Sequence, residues 1–239
     1  MNALRCVKTV ELVDIPLLTK CVFLSAFKCV QDVKMENAGE FENVKELMEA
    51  IERKKREEAE EAALMAKKNP IVWNQKDWEG IVPSLVEVLV VKDNCCSDDE
   101  IRVLDLSGYV NLREFNVGDY CFRKVEELKL NEMKCLESVV IGQVSFVKNP
   151  YNTADGRDDK RHFYLKNCPK LKSLKIGLKA FLDYSVCEIE NVNALEVIEM
   201  GDLNDGSWSF YWSSLELISQ NQPHIISHRT TFIENPCIW

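Results

Sequence analysis

Apolar positions along this chain recur in a fixed frame. Four segments share the form L-x-x-φ-x-φ-G-x-x-x-F, in which φ is any apolar residue: Leu112 to Phe122 (LREFNVGDYCF), Leu136 to Phe146 (LESVVIGQVSF), Leu171 to Phe181 (LKSLKIGLKAF) and Leu195 to Asp205 (LEVIEMGDLND), the last without the Phe. Their starts lie 24, 35 and 24 residues apart. The excess of 11 in the middle interval matches Asn149 to Asp159 (NPYNTADGRDD), a turn-rich stretch that reads as an inserted loop on a constant period. A second signal runs in phase. Six residues before each leading Leu stands an apolar residue with another two places earlier, giving the pairs Leu104 and Leu106, Leu128 and Leu130, Phe163 and Leu165, and Cys187 and Ile189. Alternation this short means strands with one buried face, so each period predicts two strands. The expected fold is mainly β with a helical insertion: a parallel β-stacked solenoid of about 24 residues per coil with two short strands each. The Gly after the second strand suits a corner that needs positive φ or close backbone approach.

The same frame reaches the N-terminus. Phe27 to Asn37 (FKCVQDVKMEN) aligns with Phe122 to Glu132 (FRKVEELKLNE) at the Phe, the Val and both following apolar positions, and Leu12 precedes Leu18 by the same six residues. A coil therefore begins near residue 10, breaks off near 37 and resumes near Ser84 to Val91 (SLVEVLVV). The chain divides into a partial repeat (1–37), a charged helical insertion (38–80), the main repeat array (81–217) and an irregular tail (218–239). In the insertion, Glu40 to Lys68 is rich in Ala, Glu, Lys and Met, all strong helix formers. Glu49 with Arg53, and Glu52 with Arg56, are i,i+4 pairs in the favourable order. It reads as a helix lying partly in solvent. A dimerising coiled coil is an alternative, against which residues 52–58 (ERKKREE) interrupt any heptad seam, and a partner-binding helix is another. Trp73 and Trp78 are expected to cap an open end of the core, and SWSFYW (207–212) reads as a partial cap or an exposed aromatic patch.

Residues 162–177 (HFYLKNCPKLKSLKIG) resemble a leucine-rich repeat, whose form L-x-L-x-x-N/C-x-x-L is met by Leu165, Cys168 and Leu171. The L-x-x-I-x-I-G…A-F portion is similar to the short BspA-like repeats of bacteria and protists. The N/C slot holds Tyr109, Met133, Cys168 and Val192, so the family's side-chain ladder to backbone is missing from three of four coils. The resemblance covers roughly 10–37 and 84–217. It implies a curved solenoid with a protein-binding role and no shared enzymatic activity.

Charge and chemistry narrow the reading. Thirty basic against 39 acidic side chains leave a net charge of −9, which disfavours a general nucleic-acid binder. No apolar run approaches the length of a membrane-spanning helix, and MNALRCVKTVELVD has no secretory signal pattern, so a cytoplasmic location is expected. The ten cysteines lack CxxC spacing and read as reduced, mostly buried thiols. No phosphate-binding loop or nucleophile elbow occurs. His224, His228 and Cys237 make a poor metal set, the Asp155 to Asp159 cluster misses the EF-hand spacing, and Cys95-Cys96 has no evident base. The expectation is a protein without catalytic residues, cofactor or metal. The alternative is a surface-associated or exported structural or adhesion-type repeat protein, or a fragment of one. The candidate partner-binding face consists of outward strand positions that vary while the frame repeats: Asn116, Val140, Lys175 and Glu199 at the centre, flanked by Arg113, Glu114, Glu137, Lys172 and Glu196, with Ser138, Ser173 and Val197 beside them. Lys172 and Lys175 predict a basic spot that would meet carboxylates of a protein partner.

Overall fold

A computed structural model describes residues 8–15, 30–38, 42–97, 101–148, 156–201, 207–220 and 223–227. The chain divides into two compact units, Met1–Met65 and Ala66–Trp239. In the first, β1 (Thr9–Ile15) and β2 (Asp32–Ala38) pair in parallel, with Val10 opposite Val33 and Leu12 opposite Met35. These are the positions that the N-terminal alignment places in one column. Helix α1 (Glu42–Lys68) starts in this unit. Its residues 52–67 are exposed: 52–58 have no apolar side chain to bury, and Leu64 and Met65 are exposed as well. Lys54 with Glu58 (3.6 Å) and Arg56 with Glu60 (4.0 Å) support it at i,i+4 spacing.

The second unit holds β3 (Ile71–Val72), α2 (Gln75–Glu79), β4 (Val88–Val91), β5 (Val103–Asp105), β6 (Glu114–Val117), β7 (Glu127–Asn131), β8 (Ser138–Ile141), β9 (Asp158–Lys166), β10 (Ser173–Ile176), β11 (Tyr184–Glu190), β12 (Val197–Met200), β13 (Ser214–Ile218) and β14 (His224–Ser227). They form two open, wholly parallel sheets: β3-β4-β6-β8-β10-β12-β14 and β5-β7-β9-β11-β13. From β4 onward the chain alternates between the sheets. Among the described residues of this unit, strand partners lie 24 residues apart in four of the ten pairings, as Glu114 and Ser138 do, 35 apart in the two that span the insertion, as Ser138 and Ser173 do, and 19 to 28 apart in the other four. Two boundaries differ from the sequence expectation. The seven-stranded sheet begins with β3, inside the span assigned to the helical insertion. The supposedly irregular tail contributes β14, paired with β12 from Val197↔His224 to Met200↔Ser227. A two-residue strand and a strand without the leading Leu carry too little pattern to be read, and neighbouring strands supply their hydrogen bonds instead. Of the inserted loop read as Asn149 to Asp159, residues 149–155 lie outside the described residues, and Asp158 and Asp159 belong to β9 instead.

The main core of this unit is built from both sheets. Leu112, Leu136, Leu171 and Leu195 are all buried, as are Leu104, Leu128, Phe163 and Cys187 from the facing sheet. Phe122, Phe146, Phe181 and Phe210 form a continuous ring stack, with successive centroids 5.1, 4.8 and 4.8 Å apart. The fourth repeat therefore does have its Phe. It is Phe210, five residues further along the chain than the frame places it. Trp78 packs its edge on Phe122 (5.5 Å) and caps this end of the stack, whereas Trp73 is exposed with Lys92 Nζ 5.2 Å over its ring.

The corners show why the glycines recur. A Cβ on Gly142 would lie 2.4 Å from the carbonyl carbon and oxygen of Gly118, and one on Gly177 would lie 2.6 Å from Gln143 N. Close stacking of backbone on backbone is the reason at Gly118, Gly142 and Gly177, and positive φ (89°) the reason at Gly201. The left-handed positions that follow are not glycines: Tyr120 and Phe122, Val144 and Phe146, Lys179 and Phe181, and Trp208 and Phe210 all have φ between 53° and 58°. Between each such pair sits a small side chain. Three of these bond back to the preceding period: Cys121 Sγ to Lys92 O (3.0 Å), Ser145 Oγ to Gly118 O (2.8 Å) and Ser209 Oγ to Gly177 O (2.8 Å). At the opposite corner Cys168 Sγ donates to Leu130 O at 3.3 Å. Burial pushes these thiols up, Cys121 to about 12 and Cys168 to about 11.

Where the insertion diverts the chain, Arg161 takes the place of missing backbone partners. Its buried guanidinium donates to Val125 O from Nε (3.2 Å) and Nη2 (2.6 Å), to Arg123 O (2.8 Å) and to Asp183 Oδ2 (2.8 Å). Asp183 also accepts from Lys148 N at 2.9 Å, so it joins both ends of the diversion. Burial raises the pKa of Asp183 despite the pull of Arg161.

Candidate interaction surface

The seven-stranded sheet presents three rows of outward positions. Backbone register sets Val90, Asn116, Val140, Lys175 and Glu199 side by side in the first row. Val88, Glu114, Ser138, Ser173 and Val197 form the second. The third runs along the strand entries and is tied by a chain of backbone hydrogen bonds: Glu87 N to Lys68 O (2.7 Å), Arg113 N to Glu87 O (2.7 Å), Glu137 N to Arg113 O (2.8 Å), Lys172 N to Glu137 O (2.9 Å) and Glu196 N to Lys172 O (2.9 Å). All nine residues singled out from the sequence, namely Arg113, Glu114, Asn116, Glu137, Val140, Lys172, Lys175, Glu196 and Glu199, thus belong to this one face.

The sequence reading missed the start of the third row. Lys68 and Glu87 extend it, joined at 2.7 Å. Glu87 could have been found, because SLVEVLVV reads as a strand of the frame. Lys68 could not, since it precedes a two-residue strand.

Signs in the entry row alternate strictly: Lys68, Glu87, Arg113, Glu137, Lys172, Glu196. Arg113 reaches both carboxylate oxygens of Glu137 (3.2 and 3.4 Å). That hydrogen bond, with Lys172 and Lys170 nearby, holds the Glu137 carboxyl below its ordinary range, and Lys68 does the same for Glu87. The expected basic spot is absent for the same reason. Lys175 pairs with Glu199 at 3.2 Å and Lys172 stands beside Glu137, so the sheet neutralises its own charges laterally. A sequence read along one strand places Lys172 and Lys175 together. Only the cross-strand register brings their counter-ions in.

The outward side of the five-stranded sheet carries a denser polar group. Lys166 bonds Glu188 (2.6 Å) and Glu190 (3.4 Å) and lies over the Tyr164 ring at 5.6 Å. Tyr164 Oη is 2.9 Å from His162 Nδ1, and His162 Nε2 is 2.9 Å from Asp159 O. A carbonyl can only accept, so Nε2 carries the proton and Nδ1 accepts from the phenol. The chain of bonds ends on a backbone carbonyl, which fixes the orientation of the ring.

Elsewhere, Cys95 is buried and its Sγ donates to Trp73 O at 2.8 Å; burial raises its pKa. Among the described residues no group of three or more His, Cys, Asp or Glu side chains is placed to hold a metal ion, and His228 and Cys237 lie outside them. No helix among the described residues is long and apolar enough to cross a membrane. The chain matches no protein-family model, no curated protein and no solved structure.

Proposed function

We propose that this chain is a non-enzymatic protein–protein interaction scaffold. In this reading it is a solenoid of the leucine-rich-repeat kind that offers the outward face of its seven-stranded sheet to a protein partner. One observation carries the proposal: the inward columns repeat almost unchanged, while the outward row reads Val90, Asn116, Val140, Lys175, Glu199 in strict register. A fixed core beneath a varied, ordered surface is what recognition by a repeat array needs. The 24-residue spacing of four strand pairings and the corner bonds from Cys121, Ser145 and Ser209 support the repeat-array part of the reading.

The test is capture of a partner from the native source by the immobilised chain, repeated with Asn116→Arg and Val140→Arg together. These positions lie mid-face and half-buried, so two guanidinium groups there should block docking. The expected result is loss of the captured protein with an unchanged melting temperature. Undiminished capture would assign binding elsewhere, with the Tyr164 and Lys166 surface next in line.

A further inference from the structure

The entry row has an even number of members, and its charges alternate: positive Lys68, negative Glu87, positive Arg113, negative Glu137, positive Lys172, negative Glu196. Such a row is its own complement when read backwards. A two-fold axis parallel to the strands, passing between β6 and β8, reverses strand order while keeping each row opposite itself. It sets Arg113 against Glu137 of the second copy, Glu87 against Lys172 and Lys68 against Glu196, and each contact occurs twice, as an isologous interface requires. Both copies have the same strand spacing of about 4.8 Å, so all six positions stay in step. The other two rows agree. Asn116 then faces Val140, Glu114 faces Ser138, Val88 faces Ser173 and Lys175 faces Val90, so no two like charges meet. Placing the row on itself without reversal would oppose every charge to its own kind.

From this geometry we infer that the partner of the seven-stranded face is a second copy of this chain, held by the alternating entry row across a two-fold axis. The inference rests on the face assigned above and names its occupant. The patch is six strands wide and three rows deep, which is small beside the roughly 800 Å² per partner of a standard interface. Its charged members are also solvated at the rim. The dimer is therefore weak and salt-sensitive, because screening shortens the reach of charges from about 30 Å at 0.01 M salt to about 8 Å at 0.15 M.

Sedimentation equilibrium of the full chain at low salt tests this, using charge-reversed variants. Arg113→Glu and Glu137→Arg, each alone, should raise the dimer dissociation constant at least tenfold. An equimolar mixture of the two should recover dimerisation, because the carboxylate introduced by Arg113→Glu in one copy then meets the guanidinium introduced by Glu137→Arg in the other. Each variant keeps two like charges within its own chain, so restored intramolecular pairing cannot cause the recovery. Glu87→Lys and Lys172→Glu form a second pair with the same logic, should either inner variant fold poorly. A monomeric wild type at low salt, single variants that still dimerise, or a mixture that stays monomeric overturns the inference. Failure of the broader reading is distinguishable: a foreign partner on this face is lost with Asn116→Arg and Val140→Arg whether or not the chain dimerises.

Discussion

Phe146 offers the sharpest test of the repeat frame. It is fully buried, stacked between Phe122 at 5.1 Å and Phe181 at 4.8 Å, and its backbone sits at φ 58°. Truncation to Ala removes the ring from a filled column, for which about 3–5 kcal/mol is the usual cost. Losing two ring contacts, each worth about 0.5–1.5 kcal/mol, places Phe146→Ala at the upper end of that range. The backbone adds a second, sign-reversed effect. In an ordinary strand or helix Gly is worse than Ala by about 0.5–1 kcal/mol. Here any residue with a Cβ is held in the left-handed region, at a cost of about 1–2 kcal/mol that Gly escapes. Phe146→Gly should therefore be no less stable than Phe146→Ala. Urea denaturation of the wild type and both variants, followed by circular dichroism, reads all three stabilities. The frame is refuted if Phe146→Ala costs less than about 1 kcal/mol, and the corner geometry is refuted if Phe146→Gly falls clearly below Phe146→Ala.

Three further predictions probe other parts of the structure. Gly142→Ala should destabilise severely or prevent folding, because its Cβ would meet Gly118 backbone at 2.4 Å, whereas Gly108→Ala, with nothing within 4 Å, should leave the melting temperature almost unchanged. Arg161→Met should cost about 3–5 kcal/mol in urea titration by leaving Asp183 buried and unpaired. Arg161→Lys should recover little of it, since an ammonium cannot reproduce the four donations to Val125, Arg123 and Asp183. In thiol labelling of the native chain near pH 8, Cys135 should react before Cys121 and Cys168, whose burial raises them to about 12 and about 11 and keeps them protonated there; labelling of Cys168 first would contradict the packing of its corner.

What the sequence determined by itself is whatever depends on the period. A residue that must face inward in every repeat has to recur, so Leu112, Leu136, Leu171 and Leu195, the paired strands and the two N-terminal strands were legible without coordinates. The outward face was legible as a set of positions, because strand alternation fixes which residues point away from the core. Tertiary structure decided what depends on lateral neighbours. β3 and β14 have almost no pattern of their own and exist because a neighbouring strand offers hydrogen bonds. Phe210 joins the ring stack although it stands five residues beyond the frame position, a placement that spacing along the chain does not reveal. Arg161 reads as one more charged residue beside a polar insertion, yet it is buried and donates to the Arg123 and Val125 carbonyls where the chain is diverted. The charges of the face followed the same rule. Lys172 and Lys175 are close along the chain, one at the entry to β10 and one within it, but in a sheet the nearest counter-ions come from the strands on either side, and register across the sheet decides which they are.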